Sequence, residues 1–215
     1  MEGRPCSRPF LLATCGDIKS ASLHSSGPNS MISAASEADL PRITEIYRDA
    51  VLNGTATYEL EPPSLAEMQS RYQALRAKGY PFLVAADDAG TVLGYAYAGP
   101  FRARPAYRFI VEDSIYVAPE AKGRGIGMAL MRKLIDEVRG LGFRQFVAVI
   151  GDGTPESPSV RLHEKLGFRH TGMLEGSGYK HGRWLDTAFM QLEMNGGANR
   201  PPDPGSWPER VLKDG

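Results

Sequence analysis

Three glycines at alternate positions, Gly123, Gly125 and Gly127, stand between an apolar segment ending at Val117 and a helix-patterned segment beginning at Ile126. Glycine lets backbone approach a ligand closely and reaches conformations that side chains resist. A helix starting behind such a loop leaves its first amide N–H groups without partners and carries partial positive charge there. The stretch VEDSIYVAPEAKGRGIGMAL (111–130) therefore reads as an anion site between a strand and a helix, with Lys122 and Arg124 adding formal charge. The fold must be of the α/β kind, and its function turns on which anion the loop takes.

With 215 residues the chain can bury one sizeable core. Its 25 basic and 25 acidic residues balance, so bulk charge gives no reason to expect nucleic acid as a partner. No apolar run approaches the roughly 20 residues that would span a bilayer, so no membrane partner is expected. The two cysteines, Cys6 and Cys15, lie near the N-terminus, which leaves no disulfide framework or cysteine metal site for the body of the fold. His24, His170 and His181 show no metal-ligand spacing, and no metal is expected. Residues 1–30 read as a disordered arm, because the run Phe10–Cys15 is too short for a working leader, and the expected compartment is the cytoplasm.

Periodicity divides the rest. A strand near Met31–Ala35 precedes a helix with Leu40, Ile43, Ile46, Tyr47 and Val51 on one face, ending at Asn53-Gly54. Thr55–Pro63 is extended, and Ser64 with Glu67 caps a second helix whose stripe is Met68, Tyr72 and Leu75. Phe82–Ala86 and Thr91–Gly99 form a hairpin around Asp87–Gly90. Pro100–Tyr107 is a loop, and Phe109–Val117 is the strand that enters the glycines. Then come a helix over 126–141, a doubly covered strand over Gln145–Ile150, a short helix over Ser159–Leu166, and strands near Arg169–Leu174 and Trp184–Met194. The domain spans 31–195, and 196–215, with four prolines, reads as an extended tail.

Two phosphate cradles fail. No Lys-Ser or Lys-Thr follows the glycines as a P-loop requires, and G-x-G-x-G lacks dinucleotide-loop spacing. Lys122-x-x-Gly125-x-Gly127 resembles instead the pyrophosphate loop of the GCN5-related N-acetyltransferases, with Lys at its first position. The order of elements agrees with that family. ATYELEPPS (56–64), the segment 79–107, VEDSIYVAP (111–119), SVRLHEKLGF (159–168) and GYKHGRWLDTAFMQ (178–191) look like its phosphinothricin and methionine sulfone branch. The resemblance implies a mixed, mostly antiparallel sheet, splayed where acetyl-CoA enters beside a bulged strand, and flanked by four helices.

It also implies roles. The coenzyme would be held by Ile115, Tyr116 and Val117 along its pantetheine arm, by Lys122, Gly123, Arg124, Gly125, Ile126 and Gly127 at the pyrophosphate, and by Ser159. A backbone N–H of Tyr116 or Val117 would polarise the acetyl carbonyl. At neutral pH an amine acceptor must lose a proton, and Glu112, in V-E-x-S, is the expected base. His163, in L-H-x-x-L-G, stands where relatives carry the group that protonates the departing thiolate. Arg102 and Arg104 suit the carboxylate of an amino-acid acceptor, with Phe101 and Tyr107 as pocket walls. Lys180, His181, Trp184 and Asp186 lie on a hairpin that implies a homodimer. Glu156 replaces the family's coenzyme-binding asparagine, a departure that puts one contact in question. The competing expectations are a protein or polyamine N-acetyltransferase of the same fold, or a silent acyl-CoA-binding module that would keep the glycines but not need Glu112.

Overall fold

The computed structural model describes residues 31–214. The expectations for residues 1–30, the two cysteines included, lie outside the described residues. The elements run β1 (Met31–Ala34), α1 (Leu40–Asn53), α2 (Leu65–Ala77), β2 (Phe82–Ala86), β3 (Val92–Pro100), β4 (Ile110–Val117), α3 (Ile126–Gly140), β5 (Gln145–Gly151), α4 (Pro158–Lys165), β6 (Arg169–Lys180), β7 (Arg183–Glu193) and α5 (Trp207–Asp214). One seven-stranded sheet has the order β1-β2-β3-β4-β5-β7-β6, and only the β4–β5 pair is parallel. The mixed, mostly antiparallel sheet is as expected.

The helices sit where sequence chemistry puts them. Ser64 Oγ accepts the Glu67 N–H at 3.2 Å and starts α2. α1 buries Leu40, Ile43, Ile46, Tyr47 and Val51, while α3 buries Ile126, Leu130, Leu134 and Val138. Two differences are informative. β6 continues to Lys180, past the expected end at Leu174, through a register irregularity between Leu174 and Gly178 that Gly176, at φ +56°, accommodates. The tail is not extended throughout: it closes in a fifth helix, because Pro208 occupies the first turn, where a missing N–H costs nothing. Among the described residues, no helix is long and apolar enough to cross a membrane.

Candidate active site

The site is an opening inside the sheet. β4 stays paired with β3 along its whole length, from Pro100↔Val111 to Gly94↔Val117, without a register shift. Its parallel pairing with β5 stops at Glu112↔Val147. Beyond Glu112 the two strands diverge around a cleft of about 190 Å³ lined by Glu112–Tyr116, Ala148–Ile150, Ala56, Thr57, Ser159 and His163. The expected bulge is thus absent from the β3–β4 ladder. The splay comes from the end of the β4–β5 pairing instead.

Strand alternation decides which backbone groups face this opening. The Ala118 N–H donates to Leu93 O on the β3 side at 2.9 Å, whereas Phe109 O accepts from Arg144 and Gln145 on the β5 side. With a two-residue period, the amides of Glu112, Ser114 and Tyr116 point to β3, and those of Ile115 and Val117, past the last rung shared with β5, are left on the open side. Of the two expected carbonyl donors, the Val117 N–H lies on the β5 side of the strand and the Tyr116 N–H on the β3 side, although Tyr116 itself lines the cleft and Val117 does not. The Tyr116 side chain packs edge-on against Tyr47 of α1, with centroids 4.9 Å apart.

Glu112 is the last paired residue before the divergence. Burial, and then the adjacent Asp113 charge, push its carboxyl up to about 7, with Arg102 acting in the opposite direction. A carboxyl poised there exchanges protons readily at neutral pH. Asp113, on the other face of the strand, is a residue that sequence reasoning passed over. Its Oδ2 lies 3.1 Å from His163 Nε2, and the two side chains are 3% and 1% exposed. His163 Nδ1 donates to Ser159 O at 2.7 Å. With Nδ1 against a carbonyl and Nε2 against a carboxylate, the surroundings favour a ring protonated on both nitrogens. Burial opposes that charge, but the Asp113 carboxylate and the Ser159 carbonyl outweigh it and raise the His163 pKa. Neither nitrogen is left free. Asp113 Oδ1 is buried without a partner among the described residues.

At the other end of β4 lies the glycine loop. Gly123 and Gly125 have φ of +74° and +81°, and a Cβ at either would meet nothing within 4 Å. These glycines are required by backbone conformation, and the space above them is open. Gly127 has ordinary helical backbone, with a Cβ position 3.5 Å from Leu162. The first backbone bond of α3 joins the Ala129 N–H to Gly125 O at 3.1 Å, leaving the amides of Ile126, Gly127 and Met128 pointing out of the first turn. Lys122 and Arg124 are exposed beside them. Ser159 lines the cleft at the start of α4, and Glu156 is exposed.

The structure does not place Phe101, Arg102, Arg104 or Tyr107 in the cleft wall. They form the loop that leaves β3 beside Glu112, whose ladder partner is Gly99. Phe101 and Tyr107 meet at 6.0 Å, Arg102 lies over the Phe101 ring, and neither Arg102 nor Arg104 forms an ion pair among the described residues. The distal hairpin divides in two. Lys180 Nζ donates to Thr57 O at 2.8 Å and His181 Nε2 to Gly54 O at 3.1 Å, so both hold the segment bearing Ala56 and Thr57 against the cleft. Asp186 accepts the Gly176 N–H, while Trp184 is 67% exposed and packs on the exposed Tyr179. Among the described residues no cluster of histidine, cysteine and acidic side chains could hold a metal.

Comparison with known proteins gives consistent likenesses. The acetyltransferase (GNAT) family profile matches residues 41–168. The phosphinothricin N-acetyltransferase of Alcaligenes faecalis is 45% identical over 165 residues, covering 77% of this chain and 83% of its own. An L-methionine sulfoximine/L-methionine sulfone acetyltransferase of Pseudomonas aeruginosa is 44% identical over 161 residues, covering 75% and 92%. The crystal structure of a phosphinothricin acetyltransferase from Sinorhizobium meliloti with acetyl-CoA superimposes with a TM-score of 0.81 at 53% identity, covering 84% of this chain and 96% of that one.

Proposed function

The chain belongs to the GNAT acetyltransferase family, and from that premise we propose that it moves an acetyl group from acetyl-CoA to the amine of a small amino-acid analogue such as phosphinothricin or methionine sulfone/sulfoximine. The observation that carries this reading is the opening between β4 and β5, with a carboxyl poised near neutrality at its inner end and free amides along its edge.

The residues suit the co-substrate. The N-terminus of α3, with Lys122 and Arg124, offers amides and positive charge to a pyrophosphate, and the edge of Ile115 and Val117 offers a strand's hydrogen bonds to an amide-bearing arm. Acetyl-CoA supplies an activated acyl carbon and a thiolate leaving group. Glu112 takes the proton that the ammonium must lose before nitrogen can attack, and the Val117 N–H polarises the carbonyl. His163 acts through Asp113, since its own nitrogens are bound, and the imidazolium keeps a carboxylate beside the thiol from repelling the developing negative charge. Arg102 and Arg104, which form no ion pair among the described residues, receive the acceptor's carboxylate. Amino-acid acceptors, rather than polyamines or cationic peptides, follow from that positive loop.

The exposed Trp184 and Tyr179 on the β6–β7 hairpin form the dimer face of this reading, and the cytoplasm, where acetyl-CoA is available, is its compartment. An acceptor screen with thiol detection tests the function. Phosphinothricin or methionine sulfone should release CoA thiol in acceptor-dependent fashion. Turnover with spermidine alone, or with none of them, overturns the assignment.

A further inference from the structure

The C-terminal segment folds back along the molecule. Asn195 Nδ2 donates to Arg139 O and Phe143 O, at 2.9 and 2.8 Å, and the Arg144 guanidinium gathers the carbonyls of Asn195, Gly197 and Arg200. The Trp207 N–H donates to Leu141 O at 2.9 Å, and its indole packs on Tyr80 and Phe143 with centroids 5.1 and 5.4 Å away. This seats α5 against the turn that joins α3 to β5.

From that seat Glu209 reaches the acceptor loop. Its Oε1 accepts from Arg108 Nε at 3.0 Å and Nη2 at 2.6 Å, and the pair is only 16% and 28% exposed. Arg108 closes the short helical turn Pro105–Tyr107. Its backbone N–H and its Nη1 both donate to Pro105 O, and its guanidinium lies 4.3 Å over the Phe109 ring. At its other end the loop is fixed by the pairing of Pro100 with Val111. Between these anchors residues 102–107 are exposed, so little else in the fold restrains them.

We propose that Glu209 is a positioning residue for the acceptor, holding, through Arg108, the loop that carries Arg102, Arg104 and Tyr107 in place beside Glu112. The proposal rests on the reading of that loop as the acceptor's carboxylate site. A loop held at both ends presents its guanidiniums with less ordering entropy lost on binding, so the tie acts on acceptor affinity and not on the coenzyme, which binds at the far end of β4.

Glu209→Gln, made in the full chain, keeps the side chain's shape and removes its charge. With phosphinothricin or methionine sulfone as acceptor, its KM should rise about fivefold, the worth of one partly buried ion pair, while KM for acetyl-CoA stays unchanged. Arg108→Ala should raise the acceptor KM similarly, and adding Glu209→Gln to it should change nothing further. Amide hydrogen exchange over 101–107 should quicken in Glu209→Gln, which reads the tie without any acceptor. A lower melting temperature with unchanged acceptor KM and unchanged exchange would show that the pair only secures the tail, and a parallel rise of both KM values would show general loosening; either overturns the proposal. Arg102→Ala separates the two readings: if it leaves acceptor KM unchanged, the loop's acceptor role fails, whatever Glu209 does.

Discussion

Replacing Glu112 by glutamine should cost activity and raise stability at the same time. Desolvation and Asp113 lift the carboxyl from 4.5 to about 7. Between those values the native chain binds more protons than the unfolded one, so stability falls as pH rises through that window, and the loss is complete above pH 7. At full burial the shift would correspond to about 3 kcal/mol, and partial contact with solvent reduces it to about 1–2 kcal/mol. Glutamine carries no charge and escapes that penalty. Thermal melts should therefore place Glu112→Gln a few degrees above the native chain at pH 8 and level with it near pH 5.

Turnover should move the opposite way. The native kcat/KM profile should rise through an acid limb near pH 7, as Glu112 becomes ionised and able to take a proton. In Glu112→Gln that limb should vanish and kcat should drop by about 10²-fold, with acetyl-CoA affinity retained. An unchanged kcat would refute the assignment of the base. A variant less stable than the native chain at pH 8 would refute the electrostatic argument, because it would mean that the carboxylate is held by favourable partners and not strained by burial.

Other perturbations probe the remaining parts. Gly125→Ala has space for its Cβ but must hold φ at +81°, so it should lose about 1–2 kcal/mol in melts, whereas Gly125→Asp should also abolish acetyl-CoA binding by calorimetry through charge conflict. Asp113→Asn removes the partner of a buried imidazolium and should lower stability by about 3 kcal/mol at pH 6, measured by denaturant titration. Because the His163 pKa is raised, the stability it contributes is present at low pH and fades as pH rises through its folded value, so the gap between the native chain and Asp113→Asn should shrink at high pH. Trp184→Asp should leave the fold intact and shift sedimentation from dimer to monomer; native sedimentation as a monomer would remove the dimer reading.

Much of this molecule was legible because its signals are local. The glycine spacing marked the strand-to-helix turn, the Ser64 cap marked the start of α2, and the stripe of Ile126, Leu130, Leu134 and Val138 marked the buried face of α3. Long-range features were harder to read. Asp113 was passed over because nothing local marks it, and only the fold brings it within 3.1 Å of His163, 50 residues on in α4. Lys180 was read only as part of a dimer hairpin, yet it is buried within the chain because the β6–β7 hairpin folds back onto Thr57. The C-terminal helix was hidden by its prolines, and its stability comes from Trp207 meeting Tyr80 and Phe143, residues far from it in the chain. In each case the residue type was visible and the partner was not.

An opening inside a sheet carries a physical cost, and its placement explains how the fold bears it. The amides of Ile115 and Val117 forgo a β5 partner, yet β4 keeps every rung of its ladder with β3, so the strand stays straight while one edge is bare. Because β5 and β7 continue the sheet beyond the gap, that edge is not offered to another chain as an outer edge would be. Glu112 falls at the last paired rung, where backbone is held from both sides, and the donors begin just past it, where backbone is free on one side. A base needs fixed geometry and a strand-like ligand needs unused hydrogen bonds. The register at which the β4–β5 pairing stops supplies both within a short stretch of one strand, and a one-residue change in that register would exchange the faces of Glu112 and Asp113.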